Sequence, residues 1–229
     1  MRCGLIGKIA SKPDYVAIGA PRDFLACFEP WLHAGVGASR LALGERWREA
    51  FLAAPIWRFW LGAEVCGATI LGALMPSIDS GGRYFPLAAF AAPDPGLAIA
   101  PPELDDHGAW FAAAEALLLS TLSPGAIYEQ AFAATERLAP PGAFSPDAAP
   151  PPVAQLRGGL MAPLDDKPPA QVFALLRRAG WASAYASRSF WWTAGGDGFR
   201  PLALAVRLLP DPVLFAAMLT GHFSDDARG

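Results

Sequence analysis

The stretch ATILGALMPSIDSGGRYFPLAAF, Ala68 to Phe90, decides how the chain folds. Its two apolar runs, residues 68–75 and 84–90, read as strands, and only the segment 76–83 separates them. A parallel crossover needs a dozen or more residues, so a connection this short makes the two runs antiparallel neighbours. A third strand-like run, IWRFWL at 56–61, precedes them across the short AEVCG segment and pairs in the same sense. Inside the loop, Gly81 and Gly82 offer the positive φ of a tight connection. Asp79 and Arg83 flank them at a spacing that lets the two side chains meet across the turn.

Upstream, residues 3–10 read as a short strand ended by the turn signal SKPD. From Pro21 the apolar residues Phe24, Phe28, Trp31 and Leu32 fall at helical spacing, with Pro30 expected to kink that helix or start it afresh. GERWREAFLAAP predicts a second helix stopped by Pro55. Downstream, ELDDHGAWFAAAEALLLSTLS and AIYEQAFAATERLA predict two helices split by SPG. The segment 140–152, PPGAFSPDAAPPP, cannot hold regular structure and reads as a linker or long surface loop. A helix follows at 168–180 with Gly180 as its C′ residue. SRSFWWTAGG and RPLALAVRLLP then read as a strand pair closed by GGDGF. The last helix, DPVLFAAMLTG, has Asp211 as cap and Pro212 at its first position. This order fits one domain, residues 1–229, in which helices cover both faces of a mostly antiparallel sheet.

Composition agrees with a sizeable core. Hydrophobic residues make up 53% and charged residues 17%, and since much of the apolar share is alanine, the core depends on Leu, fourteen Phe and eight Trp. The net charge is −3 and no Lys/Arg block occurs, which argues against nucleic-acid binding. Cys3, Cys27 and Cys66 form no CxxC pair and read as small buried hydrophobes. The N-terminus lacks signal-peptide architecture, and the longest apolar stretch, Ala109 to Leu122, is too short for a bilayer and carries Glu115. A cytoplasmic protein with no direct membrane insertion is the expectation.

Few constellations carry chemistry. Gly4-Leu-Ile-Gly-Lys8 invites comparison with a phosphate loop, but its glycines are too close and Ile9 stands where a hydroxyl residue is needed. Asp105, Asp106 and His107 are consecutive, cannot all converge on a metal, and suit the first turn of a helix. No GxSxG elbow marks a nucleophile for His33, His107 or His222. There remain polar residues in apolar surroundings: Arg58, Asp79, Arg83 and Arg188. Arginine among rings stacks on them or pairs with a carboxylate. For 76–86 a turn locked by Asp79 and Arg83 is the leading reading and a recognition surface the second. A hydrolase or ligand-binding enzyme using Ser77 as nucleophile or Asp79 as base comes last, for want of a positioned base.

These residues also carry a resemblance. Gly4 to Val16 (GLIGKIASKPDYV), Pro55 to Leu61 (PIWRFWL), Gly72 to Leu87 (GALMPSIDSGGRYFPL), Ser189 to Gly196 (SFWWTAGG) and Leu209 to Leu219 (LPDPVLFAAML) resemble signatures of the TagF (ImpM) family of type VI secretion accessory proteins. Tyr15 replaces a usual Phe, and Lys12-Pro13 stands where the family tends to have Arg-Gly. The resemblance implies a three-layer α/β/α sandwich and a cytosolic, non-enzymatic regulator that represses the secretion machine after translation. It implies type VI secretion components as partners, a forkhead-associated scaffold protein among them, and no cofactor, metal or catalytic residue. Some relatives carry a fused phosphatase domain, which 229 residues are expected to leave no room for. The recognition or structural-signature residues are Lys8, Asp14, Arg58, Ser77, Asp79, Arg83, Trp191 and Trp192. Oligomeric state stays open.

Overall fold

A computed structural model describes residues 1–144 and 152–223. Its centre is a seven-stranded sheet in the order β2-β1-β5-β4-β3-β8-β9, with every neighbouring pair antiparallel. The strands are β1 Arg2–Gly7, β2 Val16–Ile18, β3 Trp57–Leu61, β4 Ile70–Met75, β5 Leu87–Ala92, β8 Arg188–Thr193 and β9 Leu202–Arg207. Between them in sequence lie α1 Arg22–Leu43, α2 Trp47–Ala53, α3 Ala63–Cys66, α4 Gly108–Ser120, α5 Tyr128–Arg137, α6 Pro169–Ala179 and α7 Trp181–Ala184, with α8 Phe215–Thr220 last. A separate hairpin pairs β6 Ala154–Leu156 with β7 Gly159–Met161.

β4 and β5 are buried along their whole length, as central strands covered on both faces must be. One face packs Phe59, Phe90 and Trp191 against Phe24, Phe28 and Trp31 of α1, with α2 and α8 beside them. The other packs Trp60, Leu71, Ala89 and Ala91 against Trp110, Phe111 and Leu118 of α4, with Ala131 of α5 and Trp181 of α7. The result is the expected three-layer α/β/α sandwich.

The register explains the glycines of the first face. One row crosses the sheet through Gly4, Phe90, Gly72, Phe59, Trp191 and Leu204. The Phe90 ring lies over Gly4 and the Phe59 ring over Gly72, where an added Cβ would sit 2.3 and 2.1 Å from the respective Cζ. Phe28 stacks on Phe59 at 5.1 Å, Phe24 meets Phe90 at 4.9 Å and Trp31 meets Trp191 at 5.0 Å. Indole N–H groups then tie the layers together. Trp31 Nε1 donates to Pro210 O at 2.7 Å, and Trp57 Nε1 to Met218 O at 2.9 Å.

Several boundaries depart from the sequence reading. α1 runs through Pro30 without restarting, because the aromatic stripe on both sides of it packs continuously on the sheet. β1 stops at Gly7, and AEVCG forms the single turn α3 instead of a bare loop. β5 begins at Leu87, not at Tyr84, since Pro86 cannot donate to the ladder and Tyr84 makes only an isolated bridge to Ile78. β2 and the β6–β7 hairpin were not anticipated. Gly180 joins α6 to α7 at φ −92, so it is no left-handed C′ residue. Asp211 does cap its helix, accepting from Val213 N at 2.9 Å. Of the 140–152 segment, 145–151 lie outside the described residues, while Phe144 bridges Ala98. Cys66 is buried, but Cys3 and Cys27 are only half-buried.

Gly72→Ala is expected to destabilise the fold by about 3 kcal/mol in chemical denaturation, as overpacking a dense core does. With Phe59→Leu added, the double variant should lose less than the sum of the single losses, because the shorter side chain vacates the space. Strict additivity would show that the Gly72–Phe59 contact is not the constraint.

Candidate recognition site around Asp79

β1, β5 and β4 lie side by side, so the loops leaving the same end of each, 8–15 and 76–86, come together. Gly7 makes the junction. Its φ is 123°, and an added Cβ would stand 2.1 Å from Pro86 O, so the chain can turn there only as glycine. Lys8 N then donates to Pro86 O at 3.2 Å, and the lysine side chain enters the gap between the loops.

Asp79 is the hub. Its side chain is 0% exposed, and all of its contacts are donors. Oδ1 accepts from Gly81 N and Arg83 N, each at 2.9 Å, and Oδ2 accepts from Lys8 Nζ at 2.6 Å and Arg83 Nε at 2.7 Å. The backbone closes the same turn: Asp79 N donates to Arg83 O and Gly82 N to Asp79 O, with Gly82 at φ 80. Arg83 also donates through a terminal nitrogen to Pro13 O, and Ser80 N donates to Lys12 O at 3.3 Å, so the two loops form one unit. Arg83 nonetheless stays 62% exposed, which leaves part of its guanidinium facing solvent.

Burial alone would raise the pKa of Asp79. The hydrogen bonds from Lys8 and from the Arg83 backbone and side chain, with the Lys8 charge, outweigh it and hold the carboxyl well below the usual carboxylate range. A carboxylate so occupied makes a poor general base, because protonation must break its bonds. Ser77 is 3% exposed, and its hydroxyl has no partner among the described residues. Its carbonyl accepts from Phe85 N. The hydroxyls of Ser11 and Tyr15 are likewise buried without a partner among those residues, and burial, then the Glu29 charge, push the Tyr15 phenol up.

The other singled-out residues divide. Asp14 is exposed near the end of the 8–15 loop, two residues before β2. Arg58 lies elsewhere, on the α4 face, where its Nε meets Glu115 Oε1 at 2.5 Å and its guanidinium covers the Phe111 ring at 5.0 Å. Trp191 is fully buried in the α1 layer, its Nε1 donating to Ser189 Oγ at 3.0 Å, so it is a core residue and offers no surface for recognition. Trp192 faces the opposite layer, edge-on to Phe111 at 5.1 Å. Asp105 and Asp106 accept from the N–H groups of His107 and Gly108 at the entry to α4. The sequence reading did not pair Lys8 with Asp79. The signal was present, since a lysine ending an apolar strand and an aspartate inside an apolar segment each require a partner once buried.

The profile of the TagF N-terminal domain, described as type VI secretion system-associated, matches residues 4–138. The fold is similar to the crystal structure of PA0076 from Pseudomonas aeruginosa PAO1. The two share 31% identity over 97% of this chain and 96% of that one, with a TM-score of 0.79. No curated protein matches the chain.

Asp79→Asn should lower stability at neutral pH by about 3 kcal/mol, by orphaning the mostly buried Lys8 ammonium. Arg83→Ala, at an exposed partner, should cost at most about 1 kcal/mol. The sign of the pH effect follows from the lowered pKa of Asp79. Its contribution is complete above the unfolded value near ~4 and is lost as the pH falls through and below it. The melting-temperature gap between wild type and Asp79→Asn should therefore hold steady at higher pH and narrow below about pH 4. A gap that is flat down to strongly acidic pH would show that the charge of Asp79 adds nothing.

Proposed function

Because the chain belongs to the TagF family of type VI secretion-associated proteins, we propose that it is a cytosolic accessory protein that restrains the secretion machine after translation by binding one of its components. The partner in this reading is a forkhead-associated scaffold protein, and the interaction involves no turnover, cofactor or metal. The family match over residues 4–138, joined to a fold likeness over nearly the whole chain, carries the proposal. Two physical features support a binding role over a catalytic one. Every oxygen of the one deeply buried carboxylate in the glycine loop is engaged by donors, and Ser77 has no base within hydrogen-bond reach among the described residues. Among the described residues no helix is long and apolar enough to cross a membrane.

The recognition face in this reading is the rigid end formed by loops 8–15 and 76–86. The Asp79 lock holds it, and Asp14 and Arg83 are exposed on it. Such a surface is pre-organised, so binding need not order a loop.

A pull-down from a lysate of a bacterium that makes the secretion system, with the full chain as bait, should recover the forkhead-associated component. Asp14→Arg should reduce that recovery severalfold while stability stays within about 0.5 kcal/mol of wild type, as for an exposed substitution. Recovery of no secretion component would sink the regulatory reading. Undiminished recovery by a folded Asp14→Arg variant would move the binding face elsewhere.

A further inference from the structure

The sheet ends differently at its two edges. β2 is three residues long, whereas β9 presents six, Leu202–Arg207, and among the described residues pairs on one side only. Leu202, Leu204 and Val206 face the α1 layer and are half-buried, while Ala203, Ala205 and Arg207 face the other way and are exposed. On that open side the register sets Trp192 beside Ala203 and Phe190 beside Ala205. It also sets Arg188 beside Arg207, and like charges directly opposite each other on a sheet are unfavourable. Among the described residues neither arginine has a carboxylate within ion-pair reach.

At the other end of the strand the charge is opposite. Because Ala203 is small, a groove of about 400 Å3 opens there, lined by Trp192, Ala203, Pro102, Glu103 and Asp106. Glu103 accepts from Tyr185 Oη at 2.5 Å and lies 3.4 Å from Arg177, yet it is 42% exposed, and Asp106 is exposed as well. A cationic strand end and an acidic aromatic groove thus sit four residues apart on one face of one free strand.

That arrangement is self-complementary. Let two β9 strands pair antiparallel about a two-fold axis at Ala205, and residue 207 of each copy falls opposite residue 203 of the other. The guanidinium of Arg207 then reaches over the other copy's Ala203, against the Trp192 ring and between the Glu103 and Asp106 carboxylates. On the opposite face Leu204 meets Val206, which continues the apolar layer. Registers centred on Leu204 or Val206 would set Arg207 opposite Pro201 or Ala205, away from the groove. We infer that a second copy of this chain docks on β9 in the Ala205-centred register, with Arg207 of each copy seated in the Glu103–Asp106–Trp192 groove of the other. One strand pair and two seated arginines make a small interface, so the association is weak and concentration-dependent.

Sedimentation velocity on the full chain, from micromolar to high micromolar concentration, tests this. The wild type should move toward twice the 24.2 kDa chain mass as concentration rises. Arg207→Glu alone, and Glu103→Lys with Asp106→Lys, should each weaken self-association at least about tenfold, by setting like charges together. An equimolar mixture of the two variants should recover the dimer, since both seated pairs in the mixed species are again of opposite charge. Should the double variant melt early, Asp106→Lys alone replaces it in the mixture. Amide exchange should report the same event as protection of 202–207 that grows with concentration. A wild type that stays monomeric throughout overturns the inference, even if some other protein covers β9. So does Arg207→Glu that dimerises like the wild type, or a mixture that does not recover.

Discussion

The Phe90 and Phe59 rings fill the space that side chains at Gly4 and Gly72 would occupy, and that contact fixes where the rest of the sheet and its first helical layer can go. A ring needs a gap beside it in the neighbouring strand, and glycine is the side chain that leaves one. The gaps bring α1 close enough for Phe24, Phe28 and Trp31 to interleave with the rings of three strands. Each such aromatic buries on the order of 150–250 Å2, so the row accounts for a large part of that layer. It also sets the register. A slip of one residue would turn each ring to the α4 face, where β5 offers alanines and no space for it.

The Asp79 loops depend on that register. β1, β5 and β4 end at a common level only because Gly4, Phe90 and Gly72 are held in line, and this is what delivers Lys8 beside Asp79. The ion pair adds a restraint of a different kind. Apolar packing fixes the strands and reaches into the two loops at Ile9, Tyr15 and Phe85, but it does not set the path of their polar stretches. A buried carboxylate that accepts four hydrogen bonds does, because every alternative loop conformation leaves a charge without a partner. The two devices are separable in origin and share one frame.

Much of the sheet was legible from residue order alone, for specific reasons. Short connections between 56 and 90 forced antiparallel neighbours, and the same distance argument gave the SFWW and LALAV pair. Asp79 and Arg83 were visible as partners since only a turn separates them. Lys8 was not, because its partner is 71 positions away and only the β1–β5 pairing brings them together. Pro30 misled because local backbone chemistry argues for a break, whereas the helix is held by tertiary packing on both sides. Trp191 and Trp192 looked alike in sequence. Strand alternation sends one into the α1 core and the other toward α4, a distinction that follows once the strand is known but not which face is more open.

The two sheet edges show how this asymmetry reaches the surface. At β2 the ladder is three residues long, and the preceding loop is fastened through Pro13 and Lys12 to the Asp79 unit. A short strand with a tethered loop offers little backbone to a newcomer. Among the described residues β9 has neither protection. It is six residues of alternating apolar character with small side chains on its open face, and its one charge, Arg207, stands beside a second arginine instead of an acid. Long, flat edges of this kind are usually blunted by an inward charge or a covering element. Here the charge that would repel a strand at one end of β9 is matched by carboxylates at the other, so the edge excludes most strands while accepting one that carries its own cation four residues out of step.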